Sequence, residues 1–429
     1  MSIRLSTIAL DGESFKLIER LPENPLAYIR GGEGLVGWGE AFRIDAFGAN
    51  RIEDLATKWR ELSASATVDD QVKLPGTGLV AFGSIAFADD SSAASSLIVP
   101  KILLGVRDGR VWLTTVETDT EGHPLSHEAA GEFWTQDGHY KANLPVALHA
   151  GSQSASGFKQ SVDQAVAAIS QGSLEKVVLA RDLVGTLPAD FDIRSSLVKL
   201  AERFPSCWVY SVDGLFGASP ELLVRVAHGQ VSARVLAGTA GRGTDPEVDK
   251  AIAAALSAST KNTNEHAFAV DSLVQTLLPF CEHVDADPKP FSLALPNLWH
   301  LASDVHGVLR EEASVLDLAA ALHPTAAVAG TPRIEAQQLL GQLEPFDRGR
   351  YAGPVGWIGA DGDGEWAIAL RGAQIEKPGG AQIDNPGWAQ IEGSTIRAFA
   401  GCGIVAGSEP DAELAETELK FSPIREALS

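Results

Sequence analysis

The sequence predicts an α+β fold built on antiparallel sheets, and three observations carry this prediction. Short β-like runs separated by Gly, Asp and Ser turns follow one another through residues 1–150. Helical patterns come in separate blocks instead of alternating with single strands. Glycine is abundant, with 42 residues in a chain of 429, which suits a fold with many turns. An antiparallel meander is therefore favoured over a doubly wound parallel sheet.

The N-terminal elements are mostly strands. Predicted strands include LAYIRG, GLVGWGEAFRI, GLVAFGSIAF and KILLGVRDGRVWLTTV, and RIEDLATKWRELSASA is predicted as a helix between them. From Ser154 the pattern changes to an apolar stripe at helical spacing, with Ser154 as a possible cap and Gly172 as the end. The stripe consists of Phe158, Val162, Ala165, Val166 and Ile169.

Strands and helices follow in blocks through the rest of the chain. EKVVLARDLVG is a predicted strand and IRSSLVKLAERF a helix, after which come strands, one long helix from about Asp245 to Leu278, and further strands. A last strand, STIRAFAGCGIVAG, leads into the acidic segment GSEPDAELAETELK at residues 407–420. Three Ala-Gln-Ile copies within residues 373–391 predict a lengthened surface hairpin, with a ligand lid as the alternative.

Composition limits the partners and the location. The net charge of −22 opposes binding to nucleic acid or to anionic lipid, so an anionic substrate would need a local cluster of cations or a metal. The three cysteines lack CxxC spacing, which predicts neither a disulfide framework nor a zinc site and fits a reducing cytoplasm. Neither an export signal nor a run of about 18 apolar residues is found.

The acidic segment raises the question of a metal site. At about 100° per residue, a helix places Glu413, Glu416 and Lys420 on one face, while Asp411 and Glu418 point elsewhere. Asp411, Glu418 and Glu409 are expected to be solvated charges. The face could be a surface Glu–Lys lattice, or it could hold Mg²⁺, which takes one or two protein carboxylates and completes its shell with water and substrate oxygens. Glu265 on the long helix is a second candidate ligand or an exposed glutamate.

Other candidate residues carry acid–base and anion-binding chemistry. Lys176 begins an apolar strand and could act as a general base if it is partly desolvated, although it could also stand in solvent. Glu221 could stay protonated in an apolar pocket and act as an acid, or be a turn glutamate. Two further pairs of residues could bind a substrate carboxylate, the first with a phenol and a guanidinium and the second with glycine backbone N–H groups. They are Tyr351 with Arg371, on neighbouring strands of a predicted hairpin, and Gly401 with Gly403.

Taken in order, the motifs from Ser154 to the end resemble the chorismate-utilising enzymes. The resemblance is carried by KVVLAR (176–181), SPELLVR (219–225), LAGTAGRG (236–243), KNTNEH (261–266), LWHLASDVHG (298–307), LHPTAAVAGTP (322–332), RGRYAGPVGW (348–357), AIALR (367–371) and AGCGIVAGSEPDAELAETELK (400–420). It implies large antiparallel sheets that enclose a chorismate and Mg²⁺ cleft, with helices packed outside. It also implies that residues 1–150 pack into the same body as a catalytic domain at residues 154–425, in a monomer.

The resemblance also implies roles for single residues. Lys176 matches the base that activates water, and Glu221 the acid. Glu265 and Glu416 match direct Mg²⁺ ligands, and Glu413 matches a carboxylate that acts through metal-bound water. The predicted substrate contacts are Thr239, His300, Tyr351, Arg371, Gly401, Gly403 and Lys420. Asn262 stands where some members have an acidic residue, so a fourth carboxylate is not predicted.

The branch of the family depends on the nucleophile. Lys176 stands where anthranilate synthases typically have Gln, which favours water as the nucleophile and therefore isochorismate, a precursor for menaquinone or catechol siderophores. LAGT (236–239) lacks the Lys of many aminodeoxychorismate synthases, so no obligatory glutaminase partner is predicted. Salicylate synthases share the Lys and remain an alternative, and so does a subunit of an anthranilate or aminodeoxychorismate synthase. HPTAAVAG is nearer to the isochorismate synthase form, with Ala326 in place of a Pro.

Overall fold

The computed structural model describes residues 3–10, 15–118, 140–172, 174–294, 298–376 and 394–429. Contacts divide the chain into two compact units. The first comprises Met1–Glu221, His323–Ala360 and Ala367–Ser429, and the second comprises Leu222–Leu322 and Asp361–Trp366. The division by contacts does not test the boundary that the sequence places between an N-terminal region at 1–150 and a catalytic domain at 154–425, and that boundary stays a prediction.

The helices of the described residues are numbered in chain order. They are α1 (Arg51–Ser65), α2 (Ala155–Ser170), α3 (Ile193–Arg203), α4 (Pro246–Ala258), α5 (Thr260–Leu277), α6 (Val315–Leu322), α7 (Arg333–Leu343) and α8 (Pro410–Ala427), with short 3₁₀ helices at Leu17–Arg20 and Leu278–Phe280. None of these helices combines the length and the apolar character that crossing a membrane requires.

The strands of the described residues are numbered in the same way. They are β1 (Ile3–Leu10), β2 (Leu26–Arg30), β3 (Glu33–Trp38), β4 (Phe42–Ala46), β5 (Ala66–Asp70), β6 (Val80–Ser84), β7 (Ser95–Val99), β8 (Ile102–Arg107), β9 (Arg110–Thr118), β10 (His149–Ala150), β11 (Lys176–Thr186), β12 (Trp208–Val212), β13 (Leu215–Ser219), β14 (Leu222–Ala227), β15 (Gln230–Gly241), β16 (Cys281–Ala286), β17 (Phe291–Ala294), β18 (Leu298–Leu309), β19 (Gly330–Thr331), β20 (Pro354–Gly359), β21 (Gly364–Ile368), β22 (Gly372–Glu376) and β23 (Thr395–Ile404).

One large sheet dominates the first unit. Its strand order in the described residues is β10-β11-β23-β22-β13-β12-β2-β3-β8-β9-β1-β5, and β19 pairs with the free edge of β11. All the pairings given for this sheet are antiparallel except that of β1 with β5. Within the same unit, β20, β6, β7 and β4 follow one another in a second antiparallel set. The predicted α+β class with antiparallel sheets is confirmed.

The second unit has its own antiparallel strands, in which β15 pairs with both β14 and β18, and β18 also pairs with β16 and β17. Its helices correct one prediction, because the helix expected from Asp245 to Leu278 is two helices. α4 ends at Ala258, and Ser259 then caps α5 by accepting a hydrogen bond from the Asn262 N–H at 3.3 Å. A serine side chain competes for backbone N–H groups and favours such a cap over a helix interior.

Helix α8 packs on the large sheet of the first unit. Phe421 and Ile424 belong to the same apolar core as Ala398 and Ala400 of β23, whose small side chains let the helix approach the strand. α8 begins with Pro410 at its first turn, a position where the missing N–H costs no helical hydrogen bond. The three expected Ala-Gln-Ile copies fall largely within residues 377–393, outside the described residues.

Candidate active site

Lys176 is the first residue of β11, as predicted, and its side chain lies against Gly403 of the neighbouring strand β23. A Cβ atom built on Gly403 would stand 2.7 Å from Lys176 Cε, so the glycine provides the space that the lysine stem occupies. Burial lowers the pKa of Lys176, the charge of Lys420 lowers it further, and the charges of Glu221 and Glu416 oppose the shift. The ammonium forms no hydrogen bond or ion pair with the residues described here.

Glu221 lies between β13 and β14, and its backbone is fixed on both sides. Its N–H donates to Ser219 Oγ at 3.2 Å, and its carbonyl accepts the Ile368 N–H at 3.0 Å. Burial raises the pKa of its carboxyl group, while Lys176 and Arg371 act in the opposite direction. Lys176 and Glu221 are therefore close enough to influence each other, and burial shifts both towards their neutral forms.

Arg371 does not lie in a strand, which corrects the hairpin prediction in detail. It follows β21 and precedes β22 with a left-handed backbone, at a φ of 53°. Burial lowers the pKa of its guanidinium, and Tyr351, Cys207, Glu416 and Glu221 raise it. Within the described part of the chain, its side chain has no hydrogen-bond or ion-pair partner. A charged, half-buried guanidinium without such a partner is suited to an incoming carboxylate.

Tyr351 also lies outside the strands, just before β20. The next residue, Ala352, donates its N–H to the Ala369 carbonyl at 2.9 Å, which ties this segment to the one that leads into Arg371. Its ring is buried and stacks on Phe399, with centroids 4.9 Å apart. Burial raises the pKa of its hydroxyl to about 12. The phenol is therefore a neutral hydrogen-bond donor at physiological pH. A Cβ atom on Gly401 would stand 3.2 Å from this hydroxyl.

The inward face of α8 places a cation and two carboxylates beside β23. Lys420 Nζ donates to the Gly401 carbonyl at 2.7 Å and pairs with Glu416 Oε1 at 2.7 Å. Glu413, one turn earlier, accepts a hydrogen bond from the thiol of Cys402, and burial together with this carboxylate raises the pKa of that thiol. The predicted helical phase thus brings Glu413, Glu416 and Lys420 to one side of the helix.

The three remaining carboxylates of the acidic segment do not all stand free in solvent, as the sequence interpretation expected. Glu409 is exposed, and Asp411 is exposed but pairs with Lys159 of α2 at 2.9 Å. Glu418 is half-buried and forms ion pairs with Arg181 and Arg425. The expectation for Glu418 was wrong because Arg181 lies on β11, far away in sequence, and a helical wheel contains no information about such a partner.

Three predicted residues belong to the second unit. Thr239 of β15 and His300 of β18 are cross-strand partners in the backbone register. Glu265 lies on α5, and its side chain, like that of Thr239, is outside the described atoms. Their predicted roles therefore stay predictions.

A buried ion pair supports the strand that carries Lys176, and the sequence interpretation missed it. Arg348 and Glu344 meet at 2.6 Å, with side chains 3% and 5% exposed. Glu344 Oε1 accepts the Ala180 N–H at 2.7 Å, and Arg348 Nη2 donates to the Val178 carbonyl at 2.6 Å. The pair occupies the edge of β11 between its short contacts with β19 and β10. Arg348 lies in the motif RGRYAGPVGW, but nothing in the motif indicates burial.

The donor set of α8 fits a magnesium ion in its chemistry. Glu413 and Glu416 supply carboxylate oxygens one turn apart, and Mg²⁺ commonly takes one or two carboxylates. Among the described side chains, no group of three or more His, Cys, Asp or Glu residues could hold a metal.

The first unit thus brings together Lys176 and Glu221, whose pKa values burial shifts towards the neutral forms, and the half-buried guanidinium of Arg371. Such a set suits acid–base chemistry on an anionic substrate. The sequence profile described as chorismate binding enzyme matches residues 14–429. The chain therefore belongs to the chorismate binding enzymes, and the resemblance predicted from its motifs is confirmed.

Individual relatives agree with this family. The protein named isochorismate synthase DhbC of Bacillus subtilis is 34% identical over 396 residues, covering 90% of this chain and 88% of the relative. The salicylate biosynthesis isochorismate synthase of Pseudomonas aeruginosa is 31% identical over 413 residues, covering 91% and 82%. The solved structure of MenF, the menaquinone-specific isochorismate synthase of Escherichia coli, has a TM-score of 0.75 at 25% identity and covers 100% and 95%. The predicted isomerase class agrees with these names.

Proposed function

We propose that this chain is an isochorismate synthase, which adds water to C2 of chorismate while the C4 hydroxyl leaves. The observation that supports this most directly is the proximity of Lys176 and Glu221, whose charges act on each other while burial lowers the pKa of the amine and raises that of the carboxyl group. Such shifts favour an amine that can accept a proton and a carboxyl group that can give one. The names of the relatives support the same reaction.

The reaction needs one proton removed and one delivered. In the proposed mechanism, neutral Lys176 takes a proton from the attacking water as the new C–O bond forms at C2. Glu221 gives its proton to the C4 hydroxyl as that C–O bond breaks and both ring double bonds shift, so water leaves from C4 as water adds at C2 and the product is an isomer of the substrate. Arg371 and the Tyr351 hydroxyl bind a substrate carboxylate, and Lys420, held by its hydrogen bond to the Gly401 carbonyl, adds a further positive charge.

Magnesium is part of this proposal. Glu416 would bind the ion directly and Glu413 would reach it through water, with Glu265 as the further predicted ligand. When bound, Mg²⁺ would neutralise and orient one substrate carboxylate, which an overall charge of −22 would otherwise repel. The monomeric state, the cytoplasmic location and the absence of a glutaminase partner stay predictions.

The product assay tests the proposed function. We expect purified protein with Mg²⁺ to convert chorismate to a compound of unchanged mass, and we expect EDTA to stop the conversion and added Mg²⁺ to restore it. Mass spectrometry and proton NMR identify the product, and a lactate dehydrogenase assay measures pyruvate. Pyruvate as a main product would identify a salicylate synthase instead. An ammonia-dependent gain of nitrogen would identify an amination enzyme.

The contact between Lys176 and Gly403 gives a second test. Gly403→Ala would place a methyl group 2.7 Å from Lys176 Cε, and because a lysine stem is flexible, we expect the amine to move while the fold is kept. The expected result is a loss of kcat of about tenfold or more, since a displaced base loses part of the 10²–10⁴-fold that proton transfer contributes. Gly407→Ala is the matched control, because a Cβ atom there meets open space. Unchanged kcat in Gly403→Ala would contradict the placement of Lys176.

A further inference from the structure

Tyr210 is a buried tyrosine of β12 whose hydroxyl meets the backbone next to Arg371. Its side chain is fully buried in the large sheet, and its hydroxyl donates to the Leu370 carbonyl at 3.0 Å. Burial raises the pKa of this hydroxyl, so it remains a neutral donor. The bond therefore holds the peptide that leads directly into Arg371.

Two glycines leave room for this hydroxyl. Gly217 of β13 and Gly372 of β22 are cross-strand partners, and a Cβ atom on either one would stand 2.6 or 2.4 Å from Tyr210 Oη, respectively. Any larger residue at either position would collide with the hydroxyl. The absence of side chains at these two glycines therefore leaves the space in which the Tyr210 hydroxyl reaches the Leu370 carbonyl, between β21 and β22.

The corner itself has an uncommon backbone. Arg371 has a φ of 53°, which non-glycine residues seldom adopt and which the surrounding structure must hold. On one side its own carbonyl accepts the Ala218 N–H at 3.4 Å, and on the other the Leu370 carbonyl accepts the Tyr210 hydroxyl. The Tyr210 bond is the shorter of the two and comes from a rigid, buried ring.

The direction of the guanidinium depends on this backbone. Its side chain has no hydrogen-bond or ion-pair partner within the described residues that could fix its direction, and it extends from a backbone whose left-handed conformation sets where Cβ points. We propose that Tyr210 is a positioning residue for Arg371, holding the Leu370–Gly372 corner so that the guanidinium meets a substrate carboxylate. This inference rests on the proposed function only in taking the carboxylate to be that of chorismate; the effect of Tyr210 on the backbone of Arg371 does not depend on it.

Tyr210→Phe removes the hydroxyl and keeps the ring. Because Arg371 binds the carboxylate similarly in the ground state and in the transition state, we expect KM for chorismate to rise about tenfold with kcat changed less than about threefold. Tyr28→Phe is the matched control, since Tyr28 is also buried and faces Tyr210 across the β2–β12 pair. It is expected to change KM less than about twofold, because it leaves the hydrogen bond to the Leu370 carbonyl in place. An equal rise in both variants would overturn the proposal.

A double-mutant cycle separates positioning from general damage. In an Arg371→Lys background the guanidinium is already gone, so Tyr210→Phe is expected to raise KM less than about twofold further. The same factor in both backgrounds would mean that Tyr210 acts independently of Arg371, and the proposal would fail.

A crystal structure of Tyr210→Phe gives a readout that does not need turnover. We expect Arg371 to leave the left-handed region or its guanidinium to shift relative to the wild-type crystal structure. An unchanged φ and guanidinium position would refute the positioning role even if the wild-type protein makes isochorismate. Conversely, a shifted Arg371 in a protein without chorismate turnover would support positioning while the proposed function failed.

Discussion

Lys176→Gln is expected to lower kcat for chorismate by at least about 100-fold, because general base catalysis contributes 10²–10⁴-fold and an amide cannot accept the proton. Glu221→Gln is expected to cause a similar loss, since its amide lacks the acidic proton that the leaving hydroxyl needs. Both changes preserve approximate size and replace a group whose charged form is disfavoured by burial with a neutral amide. The protein should therefore keep its circular dichroism spectrum and its melting temperature to within a few degrees.

Initial rates at saturating chorismate measure this loss, with Lys159→Gln as control. Lys159 lies on α2 in the same unit and pairs with the exposed Asp411, so its removal should leave kcat unchanged. The pH profile adds a second readout: because turnover needs Lys176 neutral and Glu221 protonated, kcat/KM should pass through a maximum and decrease at both lower and higher pH. An active Lys176→Gln variant, or a rate that never falls at alkaline pH, would argue against these roles.

Breaking the buried Arg348–Glu344 pair is expected to destabilise the first unit strongly. Arg348→Met leaves Glu344 as an uncompensated buried charge and removes the donors to the carbonyls of Val178 and Val328. Loss of one partner of a buried pair costs about 3–5 kcal/mol of unfolding free energy. Urea denaturation followed by circular dichroism measures the change.

The matched control for this change is an exposed pair in the same unit. Lys16 and Glu19 meet at 2.8 Å on the surface with side chains 72% and 42% exposed, so Lys16→Met should leave the denaturation midpoint almost unchanged. If Arg348→Met cost less than about 1 kcal/mol, the pair would not be the support of β11 that its geometry indicates.

Local pattern was sufficient to predict much of the fold and part of the site. The start of β11 at Lys176, the strand after Glu221 and the inward face of α8 all follow from periodicity within a few residues. The Ser259 cap was missed because residues on both sides favour a helix, and a one-residue interruption does not alter the apolar stripe.

Contacts between distant segments could not be predicted in this way. Glu418 meets Arg181 across 237 residues of sequence, and Tyr210 meets Leu370 across 160. Each depends on strand order and register, which a single sequence does not specify. The left-handed backbone of Arg371 is equally hidden, because arginine carries no intrinsic preference for that conformation.

Helix α8 both packs on the large sheet and carries candidate site residues, and this constrains how its sequence can change. Thr417, Phe421 and Ile424 are buried and hold the rotation of the helix about its axis, while Glu416 and Lys420 project to the side of β23. One residue inserted or deleted between Glu416 and Thr417 would turn the carboxylates of Glu413 and Glu416 by about 100° relative to the buried face of the helix. This helix should therefore tolerate substitutions more readily than changes in its length, because the spacing between its carboxylates and its buried residues sets which way the carboxylates face.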